Sequence, residues 1–559
     1  MSESLKTNKL GPQVSNSPAP SSPEPRELDS APLTTTTTTT TTKSPLSTHP
    51  TSIAWSLFFS IGIILTGVNA QTIGGLFATP AFQRDFGYLY DDSYIISAPW
   101  QSGIIVCLPL GMFFGACSVG YFMDKYGRKI AFLISATISA TFIFFQFFAR
   151  SLTVLLLGEL IAGLVGGMFL ALVPTYVSEI CPPELRGYMT SSINLALVVG
   201  DLIGNGIIAG THQITNHWAY RLPLALQWIF PLIMISGGPF APESPWWLVR
   251  KGRLEEAEKS LWRLAARGTD TKKVLEGMRE TDRLECEMRV GSTYKSIFNK
   301  LNIRRTEISL AVGFGAVLSG LYLGAWTSYF FELAGLPQSQ AFNMSVVFTA
   351  VGVIGNLLSW PLSAHVGRRR MYNGGIGVIA VLMFIVGILD CVPDYDNRPD
   401  VIWGQSALLI LFFGIYNLTV GPVSITISSE ISATKIRTQT IAVAAAVQSL
   451  LGLVMTVAIP FMINPDQGGW GGKVGFFFGE LKFNRGRGGI GDGWRSGIMV
   501  FEMGRIEGLA NRCLIGALST LCWVWGWFKV PETMGRSYEE LDVMFARGLR
   551  TREFKGYKI

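Results

Sequence analysis

Twelve apolar runs, each about 20 residues long, constrain this chain more than any other feature. They lie at approximately 53–77, 97–121, 129–149, 153–177, 188–210, 223–241, 308–332, 343–364, 374–392, 402–426, 439–462 and 513–530, numbered here as spans 1 to 12. A helix of that length crosses the hydrocarbon core of a bilayer. It also satisfies its own backbone polar groups where no water can. Composition agrees: 49% of the 559 residues are apolar and only 15% are charged, so a soluble fold would need an implausibly large core. The sequence therefore reads as an all-α membrane protein with twelve transmembrane helices, and the lipid bilayer is its first partner.

Twelve spans place both termini on one side, and loop charge selects the side. The loops after spans 2, 6, 8 and 10 hold Lys125, Arg128 and Lys129; Arg250 to Arg305; Arg368 to Arg370; and Lys435 and Arg437. Lys and Arg mark cytoplasmic loops, so these loops and both termini are expected in the cytoplasm. Residues 1–50 are rich in Ser, Pro and Thr, with unbroken Thr from Thr34 to Thr42, and read as a disordered cytoplasmic tail. No apolar run follows the basic residues of this tail until Ile53, which excludes a secretory signal. The net charge of +7 is modest and gives no reason to invoke nucleic acid. The seven Cys show no metal-ligand spacing and the four His do not cluster, so neither a metal nor a cofactor is expected.

Two echoes divide the chain into halves. Gly120-Tyr-Phe-Met-Asp124-Lys-Tyr-Gly127-Arg128-Lys129 follows span 2, and Val366-Gly367-Arg368-Arg369-Arg370 follows span 8. Ser178-Glu179 precedes Arg186, and Ser429-Glu430 precedes Arg437, with Glu and Arg seven residues apart both times. A duplicated pattern implies a duplicated bundle. The expected domains are a six-helix bundle over 51–245, an intracellular helical segment over 246–305, a second six-helix bundle over 306–545 and a cytoplasmic tail over 546–559. Within 246–305, Leu254, Ala257, Leu261 and Leu264 repeat at helical spacing, and a second polar helix is expected from about 271 to 289.

These stretches, with Pro174 to Gly187, Pro242-Glu-Ser-Pro-Trp-Trp-Leu248, Gly421-Pro422 and Pro531-Glu-Thr-Met-Gly535-Arg536, resemble the sugar-porter branch of the major facilitator superfamily. The resemblance covers roughly residues 51 to 545. Gly158-Glu159, Tyr329 to Gly335 and Trp470 to Phe476 make it most like the fungal α-glucoside (maltose-type) permeases. The resemblance implies a plasma-membrane carrier of a small sugar that works by alternating access and forms no covalent bond, so it is not an enzyme. It also assigns Asp124, Arg128, Glu179 and Arg186 to one cytoplasmic gate set and Arg368, Glu430 and Arg437 to the other. Ala364 stands in the second set where Asp124 stands in the first.

The substrate path departs from the family. Span 5 offers Asn194 where an amide is usual, but span 7 has Ala316-Val317 where the family has two amides, which weakens the case for ordinary hexose binding. The aromatic found after Gly-Pro in hexose carriers is replaced near Ile425. Gln71, Asn194, Tyr322, Trp326, Thr327, Tyr416 and Asn417 remain as candidate sugar contacts, because sugars need amides, hydroxyls and aromatic faces. Proton-linked members carry an acid in span 1 where this chain has Asn69, which argues for facilitative uniport. Against that, Glu159 in span 4 and Asp201 in span 5 are intramembrane acids, costly and usually functional. They are candidate proton-coupling groups, expected in the outer half, and favour proton symport. A sugar sensor and a degenerate family member are the other readings.

One segment is foreign to the pattern. Glu179 precedes Pro242 by 63 residues, whereas Glu430 precedes Pro531 by 101, an excess of 38. The excess falls on 480–512, which includes the Gly-rich and charged run Asn484 to Arg495. It reads as a translated intron or gene-model error, or else as an extracellular loop.

Overall fold

The computed structural model describes residues 49–90, 93–265, 270–289, 297–299, 302–320, 337–389, 399–432, 436–463, 515–534 and 538–555, and positions 328, 331, 536 and 557. The 480–512 segment and the expected tail up to residue 48 lie outside them. Among the described residues, each apolar run carries a helix. Nine helices of the described residues are long and apolar enough to cross a membrane: Pro50–Leu76, Pro99–Tyr126, Arg128–Phe147, Leu152–Ile180, Ser192–Thr211, Trp218–Phe240, Ser339–Ser363, Arg368–Val386 and Asp400–Ser428. Spans 7, 11 and 12 are the helices Ile303–Leu318, Arg437–Ile463 and Ile515–Lys529. Span 1 starts at Pro50, three residues earlier than its apolar run, because proline is well suited to a first helical turn.

Proline also sets the breaks. Span 6 is interrupted at Gln227-Trp228, four residues before Pro231, and span 10 at Thr419, just after Leu418, whose carbonyl would oppose Pro422. A proline removes the N–H that would bond four residues back and crowds that carbonyl. Thr419 instead turns its hydroxyl to the Ile415 carbonyl at 2.6 Å.

Spans 2 and 4 meet through paired glycines. A Cβ on Gly111 or Gly115 of span 2 would lie 2.3 Å from the Leu160 carbonyl oxygen or 1.9 Å from that of Leu164. A Cβ on Gly163 or Gly167 of span 4 would lie 2.2 Å from the Leu108 oxygen or 2.1 Å from that of Met112. Each span thus carries a Gly-x-x-x-Gly step, and the absence of side chains there lets the backbones touch, which is how membrane helices gain contact without a hydrophobic driving force. Spans 1 and 5 repeat the device with Gly67 against Leu197 and Gly200 against Ile64.

Each half has its own core. Phe59 stacks between Phe132 and Tyr176, at centroid distances of 4.1 and 3.7 Å, in the first half. Tyr372, Phe348 and Phe412 lie in the core of the second. Two residues cross over. Val198 of span 5 packs in the second core, and Phe342 of span 8 packs into a cluster with Phe77, Phe82 and Ile208 of the first half.

The 246–305 segment is folded against the bundle over its described part. Helices Pro245–Arg250, Leu254–Leu264 and Thr271–Arg289 share a small core of Trp247, Leu248 and Ala257 with Leu275 and Met278. The Ser52 hydroxyl of span 1 donates to the Leu264 carbonyl at 3.1 Å. The last residues are also tied down, beyond what a plain tail over 546–559 would be. Arg305 pairs with Asp542 of the helix Tyr538–Ala546, Arg304 donates to the Leu549 carbonyl at 2.7 Å, and Phe554 is fully buried. At the other end of the bundle, a short helix Pro80–Phe86 and an antiparallel hairpin, β1 (Tyr88–Tyr90) with β2 (Ser93–Ile95), connect spans 1 and 2.

The glycine contacts make a direct prediction. Gly163→Ala and Gly167→Ala place a methyl group into backbone, and each should cost about 1–3 kcal/mol of stability. A melting temperature unchanged from wild type in detergent for both variants would contradict the packing described.

Candidate functional site

Arg128 organises the charged end of the first half. Its guanidinium, only 4% exposed, donates from Nη2 to Glu179 Oε1 at 2.9 Å and from Nη1 to the Met123 carbonyl at 3.2 Å. Glu179 is also met by Arg250 at 3.5 Å, and Arg250 reaches Asp282 at 3.6 Å, so the pair is wired into the intervening helices. Asp124 is the weak member: it is 83% exposed and 3.9 Å from Arg128. The second half repeats the pair more loosely. Arg368 Nε approaches Glu430 Oε1 at 3.5 Å without hydrogen-bond alignment, and Thr533 donates to the other Glu430 oxygen at 2.5 Å. These described pairs stay within their own halves. The side chains of Arg186 and Arg437, the other two gate candidates, lie outside the described residues.

A carboxylate that the sequence reading did not single out closes this end. Glu243 Oε1 accepts from the backbone N–H of Arg128 at 2.8 Å and of Ser244 at 2.9 Å, and both of its oxygens face the Lys129 N–H. It therefore caps span 3 from a distance and complements the helix dipole. Burial pushes its carboxyl above the ordinary range, and the backbone amides of Ser244, Arg128 and Lys129 pull it back. Gly127 has φ +97°, and a Cβ there would meet Glu243 Oε2 at 2.4 Å, so glycine is required twice over. In the second half a Cβ on Gly367 would meet Glu532 Oε2 at 2.1 Å. The signal was available in the sequence, in the matching Pro242-Glu-Ser and Pro531-Glu-Thr.

Glu159 lies near the opposite end of span 4 from Glu179, about 30 Å away at 1.5 Å per residue. It is 1% exposed. Asn69 donates to both of its oxygens at 3.2 and 3.3 Å, and Gln146 of span 3 donates to Oε1 at 2.5 Å and to Asn69 Oδ1 at 3.2 Å. The residue that replaces the usual span 1 acid is thus the one that holds the span 4 acid. Gln146 was not legible beforehand, since a lone amide in an apolar run carries no partner information. Asp201 sits against Gly67 of span 1.

The remaining candidates are spread over several helices. Tyr416 and Asn417 are buried just before the break in span 10, with Asn417 donating to its own helix at Phe413 O, 3.1 Å away. Asn194 is half-buried, and its Nδ2 has no hydrogen-bond partner among the described residues. Tyr322, Trp326 and Thr327 lie outside the described residues. Ala316 and Val317, each 1% exposed, belong to the apolar core of the second half.

Comparison with known proteins fits this architecture. The family described as sugar (and other) transporter matches residues 55–482. The chain belongs to that family. The maltose permease MAL31 of Saccharomyces cerevisiae is 32% identical to it over 525 residues, which is 92% of this chain and 79% of the permease. The alpha-glucosides permease MPH3 of the same yeast is 32% identical over 526 residues, covering 92% and 80%. Among solved structures, the xylose transporter XylE from E. coli in an inward-open conformation superposes with a TM-score of 0.65 at 17% identity, over 88% of this chain and 99% of XylE. XylE bound to 6-bromo-6-deoxy-D-glucose gives 0.65 at 18%, over 89% and 99%. This transporter is therefore a multi-pass membrane protein with the twelve-helix major facilitator fold.

Geometry separates the candidate gate residues. Glu179→Gln removes the carboxylate from a buried Arg128, which should cost about 3 kcal/mol and reduce transport strongly. Asp124→Asn disturbs an exposed contact worth about 0–1 kcal/mol and should leave transport near wild type. Equal losses in the two variants, at equal surface amounts, would contradict this ranking.

Proposed function

We propose that this chain carries neutral sugars of the hexose or α-glucoside class across the plasma membrane by alternating access, in symport with protons. The Glu159 cluster is the observation that carries the coupled reading. An intramembrane carboxylate held by two amides, with no ion pair to it among the described residues, can alternate between protonated and ionised forms as the halves move. The names of the relatives support the substrate class: maltose and alpha-glucosides for the yeast permeases, and proton with xylose for XylE.

The charged pairs at Arg128–Glu179 and Arg368–Glu430 then stand at the cytoplasmic end, with both termini on that side. Glu159 stands in the outer half. The two halves rock about the seam between them, and the described ion pairs stiffen each half as it moves. The chemistry is binding and release, with no covalent step, and the protein is not an enzyme. Uniport is the second reading, and Asn69 favours it, because Asn cannot take up and release a proton.

Uptake of labelled maltose and glucose by cells lacking their own sugar carriers tests the proposal. The wild type should accumulate sugar and acidify the cytoplasm. Glu159→Gln should abolish accumulation while sparing sugar exchange. Robust uptake with a flat internal pH would establish uniport instead, and no uptake of any sugar at normal surface expression would overturn transport itself.

A further inference from the structure

Span 8 carries a buried amide with no hydrogen-bond partner among the described residues. Asn356 is 0% exposed, and neither its Oδ1 nor its Nδ2 has a hydrogen-bond partner among the described residues. Three hydroxyls along the same stripe are satisfied: Ser345, Thr349 and Ser359 each turn back to their own helix. A buried amide left without partners is costly, on the order of 1–3 kcal/mol. Such a group persists where something else supplies its hydrogen bonds.

Its direction follows from the helix. Ile354, Leu357 and Leu358 are exposed and mark the outward face of span 8. Phe348, stacked on Phe413 at 4.1 Å, and Gly355, against the Gly414 backbone, mark the face toward span 10. Phe342 touches His212 at 4.9 Å and marks the face toward span 5. At 3.6 residues per turn Asn356 falls between those last two directions and away from the exposed face. It thus faces the seam where the two halves meet.

The same register brings in other polar groups. Fourteen residues inward from the His212–Phe342 contact, span 5 presents Val198 and span 8 presents Asn356. Val198 does pack into the second half. Four residues further in lie Asn194 and Trp360, and Asn194 Nδ2 and Trp360 Nε1 are also buried without a partner. Three unpartnered polar side chains therefore lie within about one helical turn of each other along the seam.

We infer that Asn356 and Trp360 are substrate contacts that, together with Asn194, bind the hydroxyls of a polyhydroxylated neutral ligand. The inference rests on the sugar-transport reading above and names where its hydrogen bonds come from. At the two span 7 positions where the family has amides, this chain has Ala316 and Val317, which are buried in the apolar core and offer no hydrogen bond. Span 8 supplies an amide, which both donates and accepts, and an indole N–H, which donates and adds an aromatic face for sugar C–H groups.

The test uses Asn356→Leu and Trp360→Phe in the full chain, in carrier-free cells and as purified protein. Asn356→Leu keeps the shape and removes the hydrogen bonds. The ligand-free variant should melt at or above the wild-type temperature, because an unsatisfied amide is gone. Its KM for the transported sugar should rise about five- to ten-fold per hydrogen bond lost, and the rise in melting temperature on adding that sugar should disappear. Trp360→Phe should show a smaller rise in KM. Should Asn356→Leu fail to fold, Asn356→Ser carries the same expectation for KM. Wild-type KM and a wild-type sugar-induced thermal shift in a properly expressed Asn356 variant would overturn this inference and leave the transport reading standing. Absence of both uptake and a sugar-induced shift in the wild type would overturn both.

Discussion

A bilayer core offers no water to a polar group. The protein must satisfy such a group itself, or leave it for a ligand, and this constraint governs most of what is described here. It explains why the described parts of the apolar runs are helical, why serine and threonine hydroxyls turn back onto carbonyls one turn away, and why the breaks in spans 6 and 10 fall where proline removes a donor. It also makes the exceptions informative. Glu159 is buried and held by two amides, and Asn356 is buried and held by nothing described.

The same constraint separates structural polar groups from functional ones at the charged end. Arg128 is almost fully buried; Glu179 meets its guanidinium, Glu243 meets its backbone N–H, and Gly127 before it leaves room for the Glu243 carboxylate. Three sequence stretches far apart in the chain are needed to build that one corner. The second half builds its counterpart with Arg368, Glu430, Thr533 and Glu532, with a longer Arg–Glu separation and with Ala364 in place of the acid. The two halves are copies in plan, and differ in how tightly the plan is executed.

Much of this was legible in the sequence, because its signals are local. A run of twenty apolar residues, an amphipathic repeat at Leu254 to Leu264 and a proline each act within one helix, so element positions follow from residue order. The family resemblance put Arg128 and Glu179 in one gate set. What could not be read was which side chains share a seam. Gln146 and Asn69 are 77 residues apart in the chain, and Glu243 lies 115 residues from Arg128. Asn356 resembled any amide in a membrane helix until its neighbours on spans 5 and 10 fixed its direction. The docked C-terminus was missed for the same reason, since Arg304 and Leu549 are 245 residues apart.

The account stands on one claim, that this bundle passes a sugar between its two faces. Exchange in liposomes tests that claim without a cell around it. Purified full-length protein is reconstituted, vesicles are loaded with unlabelled maltose or glucose, and entry of the labelled sugar is followed. The account predicts saturable entry of at least one of these sugars that depends on the internal sugar and is absent from protein-free vesicles. Entry no faster than in protein-free vesicles, from protein that still shows a cooperative melt, would contradict it.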